Sequence, residues 1–235
     1  MNDNLQAAYG SYIGSVPSAE QRNRVLRNTY WMLALSLIPT VLGAWIGMAM
    51  GFGGLVRGSP FLSIAIFLGV SFGIFYAIDK FKNSAIGVAL LLGFTFFMGL
   101  MLSLTIGRVL NSYSNGGQLI MLAFGGTSLV FIGMATLATT IKRDISGWGK
   151  FLMVGVIGLI IASIANIWLQ MPALALTVST LAVVIFSAFM LYDLKRVVDG
   201  GETNYVVATL AIYLDVYNVF VSLLNILGVV GGDRE

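Results

Sequence analysis

The chain has 235 residues, 58% of them hydrophobic and 10% charged, with a formal net charge of +3. A mean hydropathy of +0.92 excludes an ordinary soluble domain of this size. With no cysteine and no histidine, disulfides, thiol redox chemistry, haem ligation by His, the common zinc sites and any Ser-His or Cys-His nucleophile are excluded as well.

The first 28 residues are polar and hold no signal-peptide pattern. Ser18 and Gln21 have capping-box spacing, so a short helix through Arg22, Arg24 and Arg27 is expected to lie at the membrane surface. Uncharged stretches of 29, 21, 25 and 33 residues then separate Arg27 from Arg57, Arg57 from Asp79, Lys82 from Arg108 and Arg108 from Lys142. Each is long enough for a helix to cross a hydrocarbon core, which takes about 20 apolar residues. The 42-residue gap between Lys150 and Asp193 is too long for one span. It divides at Gln170-Met171-Pro172, where proline suits the first turn of a new helix.

Seven spans follow, at roughly 29–50, 60–78, 83–107, 118–141, 148–169, 172–198 and 204–229. The runs are continuously apolar, not alternating, which argues against a β-barrel. The fold class is therefore all-α and polytopic, with a single domain at 29–229, a polar segment at 1–28 and a short tail at 230–235. No internal repeat points to an inverted-repeat transporter. Counted on alternate sides, Lys and Arg divide 10 to 3, which puts the N-terminus in the cytosol and the C-terminus across the membrane. The bases lack the aromatic interleaving of a nucleic-acid surface, so the lipid bilayer is the partner that composition implies. The oligomeric state is left open.

Small residues within the spans, such as Gly125-Gly126 and Gly155 with Gly158, are expected to pack helices closely. Pro39 is expected to kink the first span. In KRDISGWGK, residues 142–150, either Ser146 or Asp144 is expected to cap the fifth span.

Asp215 is the anomaly. If the sixth span stops at Gly200-Gly201 and the seventh starts near Asn204, Asp215 lies about 16 Å into the membrane. An acid there costs about 2.5–3.5 kcal/mol, and such residues face a bundle interior or water. Asn204, Ala208, Ala211, Asp215, Asn218, Ser222 and Asn225 recur at steps of three and four and form one polar stripe. Asn218, Ser222 and Asn225 are therefore candidates to line a path or contact an ion. Asp193 lies nearer the membrane surface, about 6 Å short of the depth of Asp215, an offset a helix shift or a water can absorb. The alternatives for it are a snorkelling or capping charge.

The segments LYDL (191–194), YLDVYNVFVSLL (213–224) and KRDIS (142–146), in this order and spacing, resemble the Bax inhibitor-1 family of seven-helix membrane proteins. VLRNTY (25–30), GGETNY (200–205) and LNILG (224–228) are similar to its bacterial YccA-like branch. The resemblance implies a central seventh helix wrapped by the other six. It places the family's paired aspartates on Asp193 and Asp215, a pH-sensitive latch associated with calcium leak, so Ca²⁺ is the implied permeant ion and transient ligand. A basic residue near the end of the second span can exchange partners with that pair, and Lys80 or Lys82 in AIDKFKN is the approximate match. The branch is further associated with modulating a membrane-bound AAA protease, for which residues 1–24 offer a handle, and with the bacterial inner membrane.

Enzymatic readings fit poorly. YLDVYN is not the GxGD setting of an intramembrane aspartyl protease, and no lysine stands between Tyr205 and Val230 to hold retinal. The expected function is a non-enzymatic, pH-gated cation leak without a resident cofactor, with protease modulation as the alternative.

Overall fold

The computed structural model describes residues 18–57 and 60–233. They form eight helices: α1 (Ala19–Ala49), α2 (Phe52–Arg57), α3 (Pro60–Phe81), α4 (Ala85–Ser112), α5 (Gly116–Thr140), α6 (Trp148–Leu169), α7 (Pro172–Asp199) and α8 (Tyr205–Gly231). All but α2 are long and apolar enough to cross a membrane, with mean hydropathies of 1.7 to 2.3. The seven expected spans are thus present, and the short helix α2 is additional.

The start of α1 combines one expectation met with one corrected. Ser18 and Gln21 do form the capping box, with Gln21 N–H donating to Ser18 Oγ at 3.2 Å and Ser18 N–H to Gln21 Oε1 at 2.9 Å. However, the helix they open does not stop after Arg27. It continues as one 31-residue helix through Pro39 into the first span, because no helix-stopping residue separates the basic turn from the apolar run. Residues 1–17, which hold most of the proposed protease handle, lie outside the described residues.

At the α6–α7 turn the helix ends at Leu169 and Gln170 takes a left-handed conformation, with φ 49°. Asn166 Oδ1 accepts from Met171 N–H at 3.0 Å, and Pro172 begins α7, as the sequence implies. Before α6 the outcome differs: Gly147 occupies the cap position and no side chain caps the helix. Asp144 Oδ1 instead accepts from Ser146 N–H at 2.8 Å, a tight local turn that leaves neither residue over the helix end.

The core of the bundle is α8, in which no residue from Tyr205 to Gly228 is fully exposed. It packs most extensively on α7 and α5, then on α1, with lesser contacts to α4 and α3. The helix is central, but five spans surround it, not six: α6 lies outside and packs its backbone against α7 alone. Burial of α8 is accordingly not confined to the polar stripe, since Val206, Ile212, Tyr213, Val219 and Leu224 are as enclosed as Asp215.

The closest crossing is between α1 and α4. A Cβ on Gly99 would collide with the Thr40 carbonyl, and one on Gly43 with the Phe96 carbonyl, so glycine here lets two backbones touch. Of the glycines expected to do this, Gly126 and Gly155 meet side chains of Leu223 and Ile185, whereas Gly125 and Gly158 face no protein atom within 4 Å. The latter pair is a correction, explained by the peripheral faces on which they sit.

Candidate functional site

The α7–α8 hairpin brings the two acids together. Gly200 ends α7 with φ 83°, and its N–H bonds back to Arg196 and Val197 carbonyls, a reversal that a residue with a Cβ adopts only under strain. Gly201 and Glu202 also donate to the Arg196 carbonyl, at 2.8 and 3.1 Å. Asn204 then caps α8, its Oδ1 accepting from Val206 and Val207 N–H at 3.0 and 3.1 Å. The Asn204 side chain also donates to the Lys82 carbonyl at 3.1 Å and to Asn83 Oδ1 at 2.8 Å, tying the hairpin to the α3–α4 turn.

With the hairpin so fixed, the expected depth offset closes. The Asp193 and Asp215 carboxyls lie within hydrogen-bonding reach of one another. Asp215 is 5% exposed, and its Oδ2 is buried with no hydrogen-bond donor among the described residues. Asp193 is slightly more open, its side chain 13% exposed. Two carboxyl oxygens that face each other without another donor are joined only by a proton or separated by a cation.

The basic partner is not the expected one. Lys82 Nζ is held by Asp79 on its own helix end at 2.7 Å, and Lys80 sits over the Phe81 ring at 5.7 Å. Neither is placed against the acid pair. The cation beside it is Arg196, one turn beyond Asp193 on α7, with Nη1 at 3.7 Å from Asp193 Oδ1 and Nη2 at 3.7 Å from Glu202 Oε2. Both separations exceed a hydrogen bond, so Arg196 acts as a shared charge between the two acids. The helical step of three from Asp193 to Arg196 was a signal available in the sequence.

Of the expected path residues, Asn218, Ser222 and Asn225 all line one cavity of about 440 Å³ between α6, α7 and α8. Asn218 Nδ2 also donates to the Leu214 carbonyl at 2.7 Å. They are therefore brought together with each other, on the far side of Asp215 from the basic hairpin, and do not form a shell with the acid pair. Among the described residues no three acidic, His or Cys side chains converge to hold a metal. Two carboxylates fit a passing Ca²⁺, which takes six to eight oxygen ligands when held, with solvent or carbonyls supplying the rest.

A second polar cluster escaped the sequence reading. Tyr213, 1% exposed, places its hydroxyl 2.8 Å from Thr40 Oγ1. Thr40 in turn reaches the Ser36 carbonyl at 2.8 Å and the Thr95 carbonyl at 3.2 Å. Threonine inside an apolar helix gives little sign of which neighbour it will serve.

A family profile described as "Inhibitor of apoptosis-promoting Bax1" matches residues 22–232. This chain belongs to the Bax inhibitor-1 family. Among Bax inhibitor-1 relatives, the "Modulator of FtsH protease YccA" of Escherichia coli K12 is 37% identical over 213 residues, covering 90% of this chain and 92% of that protein. An uncharacterised protein of Pseudomonas aeruginosa is 37% identical over 220 residues, 92% of this chain and 94% of its own. A membrane protein of Vibrio cholerae is 35% identical over 216 residues, covering 91% and 92%. The YccA-like assignment and the multi-pass membrane architecture are thus established for this Bax inhibitor-1 chain.

Proposed function

We propose that this protein is a pH-sensitive cation leak of the bacterial inner membrane, with its N-terminus cytosolic and Ca²⁺ as the permeant ion. The observation that carries the reading is the buried Asp215 carboxyl, whose Oδ2 has no donor among the described residues and which lies within hydrogen-bonding reach of the Asp193 carboxyl. With one proton shared, the pair is a hydrogen-bonded latch across α7 and α8. Without that proton, two adjacent negative charges repel each other and attract a cation. A second proton removes that attraction. Arg196, on the basic side of the pair, gives a displaced Asp193 an alternative partner.

The test is Ca²⁺ flux into proteoliposomes across a pH series. Flux is expected to rise as pH rises through the titration of the shared proton, and neither Asp193→Asn nor Asp215→Asn should reproduce that profile. Wild-type flux with an unchanged pH profile in both variants would overturn the latch.

A second reading has its own support. The 37% identical Escherichia coli relative is named as a modulator of the FtsH protease, which favours a role as modulator or partner of a membrane-bound AAA protease, with no catalysis by this chain. It is tested by the lifetime of a membrane-protein substrate of that protease when the chain is overproduced. Prolonged lifetime that survives both Asp→Asn changes and fails on deletion of residues 1–24 would assign the effect to the tail, not the latch.

A further inference from the structure

The cavity between α6 and α8 contains a polar surface that the acid pair does not explain. Ser163 and Asn166 of α6, Ser179 of α7, and Asn218, Ser222 and Asn225 of α8 stand in its lining among apolar side chains that include Leu159, Ile160, Phe186 and Val221, with no charged residue. Because α6 packs its backbone on α7 alone, α6 and α8 stand apart and α7 forms the back of the cleft. Ser179 and Ser222 are 8% and 7% exposed, yet among the described residues neither has a hydrogen-bond partner. Nor do Ser163 and Asn225.

Elsewhere in the spans, hydroxyls solve this problem locally. Thr29, Thr127, Thr177 and Thr209 each donate to a carbonyl four residues back, at 2.7 to 2.9 Å. The cleft serines decline that bond and point into the cavity instead. In hydrocarbon, such unpaired groups carry a cost that an acyl chain does not relieve. Water relieves it. The volume of about 440 Å³ is ample for water, since one molecule needs about 10–15 Å³ of such space.

The position of the cleft gives it a role. Asn166 stands three residues before the end of α6, where its Oδ1 holds Met171 N–H of the α6–α7 turn, and Asn225 is six residues from the end of α8, so the cleft begins at the face of the C-terminus. It ends at Asn218, three residues or about 4.5 Å along the helix from Asp215. The amides and hydroxyls, uncharged and set among apolar side chains, let a hydrated cation in without trapping it, and leave the attraction to the acid beyond.

We propose that the α6–α7–α8 cleft is a water-filled vestibule that delivers hydrated cations from the face of the C-terminus to Asp215, so that the path has one preformed half and one gated half. This rests on the leak reading above. The walls contributed by Ser163, Asn166 and Ser179 are then part of the conduction path, and α6 is a functional element despite its peripheral place.

The cysteine-free sequence gives a direct test. Single variants Ser179→Cys, Ser222→Cys and Asn225→Cys are reacted in oriented membrane vesicles with a membrane-impermeant cationic methanethiosulfonate. Ile161→Cys, on the lipid-facing side of α6 and 63% exposed to the surroundings of the bundle, is the dry control. Only a hydrated thiol ionises, so at least two of the three should react about tenfold or more faster than the control from the face of the C-terminus. In proteoliposomes the cationic adduct should then lower Ca²⁺ flux, and an anionic adduct of similar size should lower it less. Labelling no faster than at Ile161→Cys, or only from the basic face, overturns the vestibule while leaving the latch intact. Fast labelling with flux indifferent to the adduct's charge overturns the route. Fast labelling in a protein whose unmodified form passes no cation at any pH overturns the leak reading, and the delivery role with it.

Discussion

Tyr213 and Asp215 stand two residues apart on α8, both enclosed, and their hydrogen bonding is opposite. The Tyr213 hydroxyl has a complete set of partners. Thr40 has a single hydroxyl proton, which goes to the Ser36 carbonyl at 2.8 Å, and its oxygen is then free to accept from Tyr213 at 2.8 Å. Every proton has one acceptor, and α1 and α8 are joined beside α4, whose Thr95 carbonyl lies 3.2 Å from Thr40 Oγ1. Asp215 Oδ2 has none. A buried polar group that is satisfied by its fold holds the fold together; one left open waits for a proton, an ion or water, and changes state when that partner changes.

This contrast predicts a separation between stability and ion passage. Asp215→Asn should have the largest effect, reducing Ca²⁺ flux at alkaline pH about tenfold or more by removing the ionisable group. Thermal stability in detergent should stay within about 1 kcal/mol of wild type, since the amide N–H can donate to Asp193. A large loss of stability with flux retained would reverse the roles assigned to the two regions.

Gly99→Ala comes next. Its new Cβ meets the Thr40 carbonyl, which is backbone and cannot swing away, so a destabilisation of about 1–3 kcal/mol is expected. The pH profile of flux should be unchanged in the folded fraction, and a shifted profile would mean that the α1–α4 crossing and the acid pair are coupled. Tyr213→Phe should be milder. It removes the hydrogen bond to Thr40 but leaves Thr40 its Ser36 carbonyl, a cost of about 1 kcal/mol in denaturation with flux again unaltered.

The smallest effect is expected outside the membrane. The backbone N–H of Ser146 donates to Asp144 and holds its carboxyl below the usual carboxylate range. A depressed folded-state pKa means that the contribution of this turn is present above the unfolded value and is lost as pH falls through the folded one. The protection of the Ser146 amide, its exchange measured relative to the intrinsic rate at each pH, should therefore fall on acidification and be low at all pH values in Asp144→Ala, while the bundle melts as before. Loss of flux in that variant would show that the α5–α6 turn takes part in gating.

The sequence by itself determined what hydropathy and local backbone chemistry control. Uncharged runs of the right length gave seven crossings, Pro172 and Gly200 marked the turns around α7, and Ser18 with Gln21 marked the first helix start. Asp215 stood out because an acid in an apolar run has no inexpensive explanation, and the stripe through Asn218, Ser222 and Asn225 was visible in helical periodicity. What lay beyond reach was the choice of partner between helices, since many threonines and lysines are equivalent in a one-dimensional pattern. Only the tertiary structure decided that Asp193 meets Asp215, that Arg196 also approaches Glu202, that Thr40 serves Tyr213, and that α6 leans on α7 alone. Each depends on helix rotation and register, which in an apolar bundle are set by side-chain packing and a few long-range hydrogen bonds, with no hydrophobic contrast between helix and lipid to record them in the sequence.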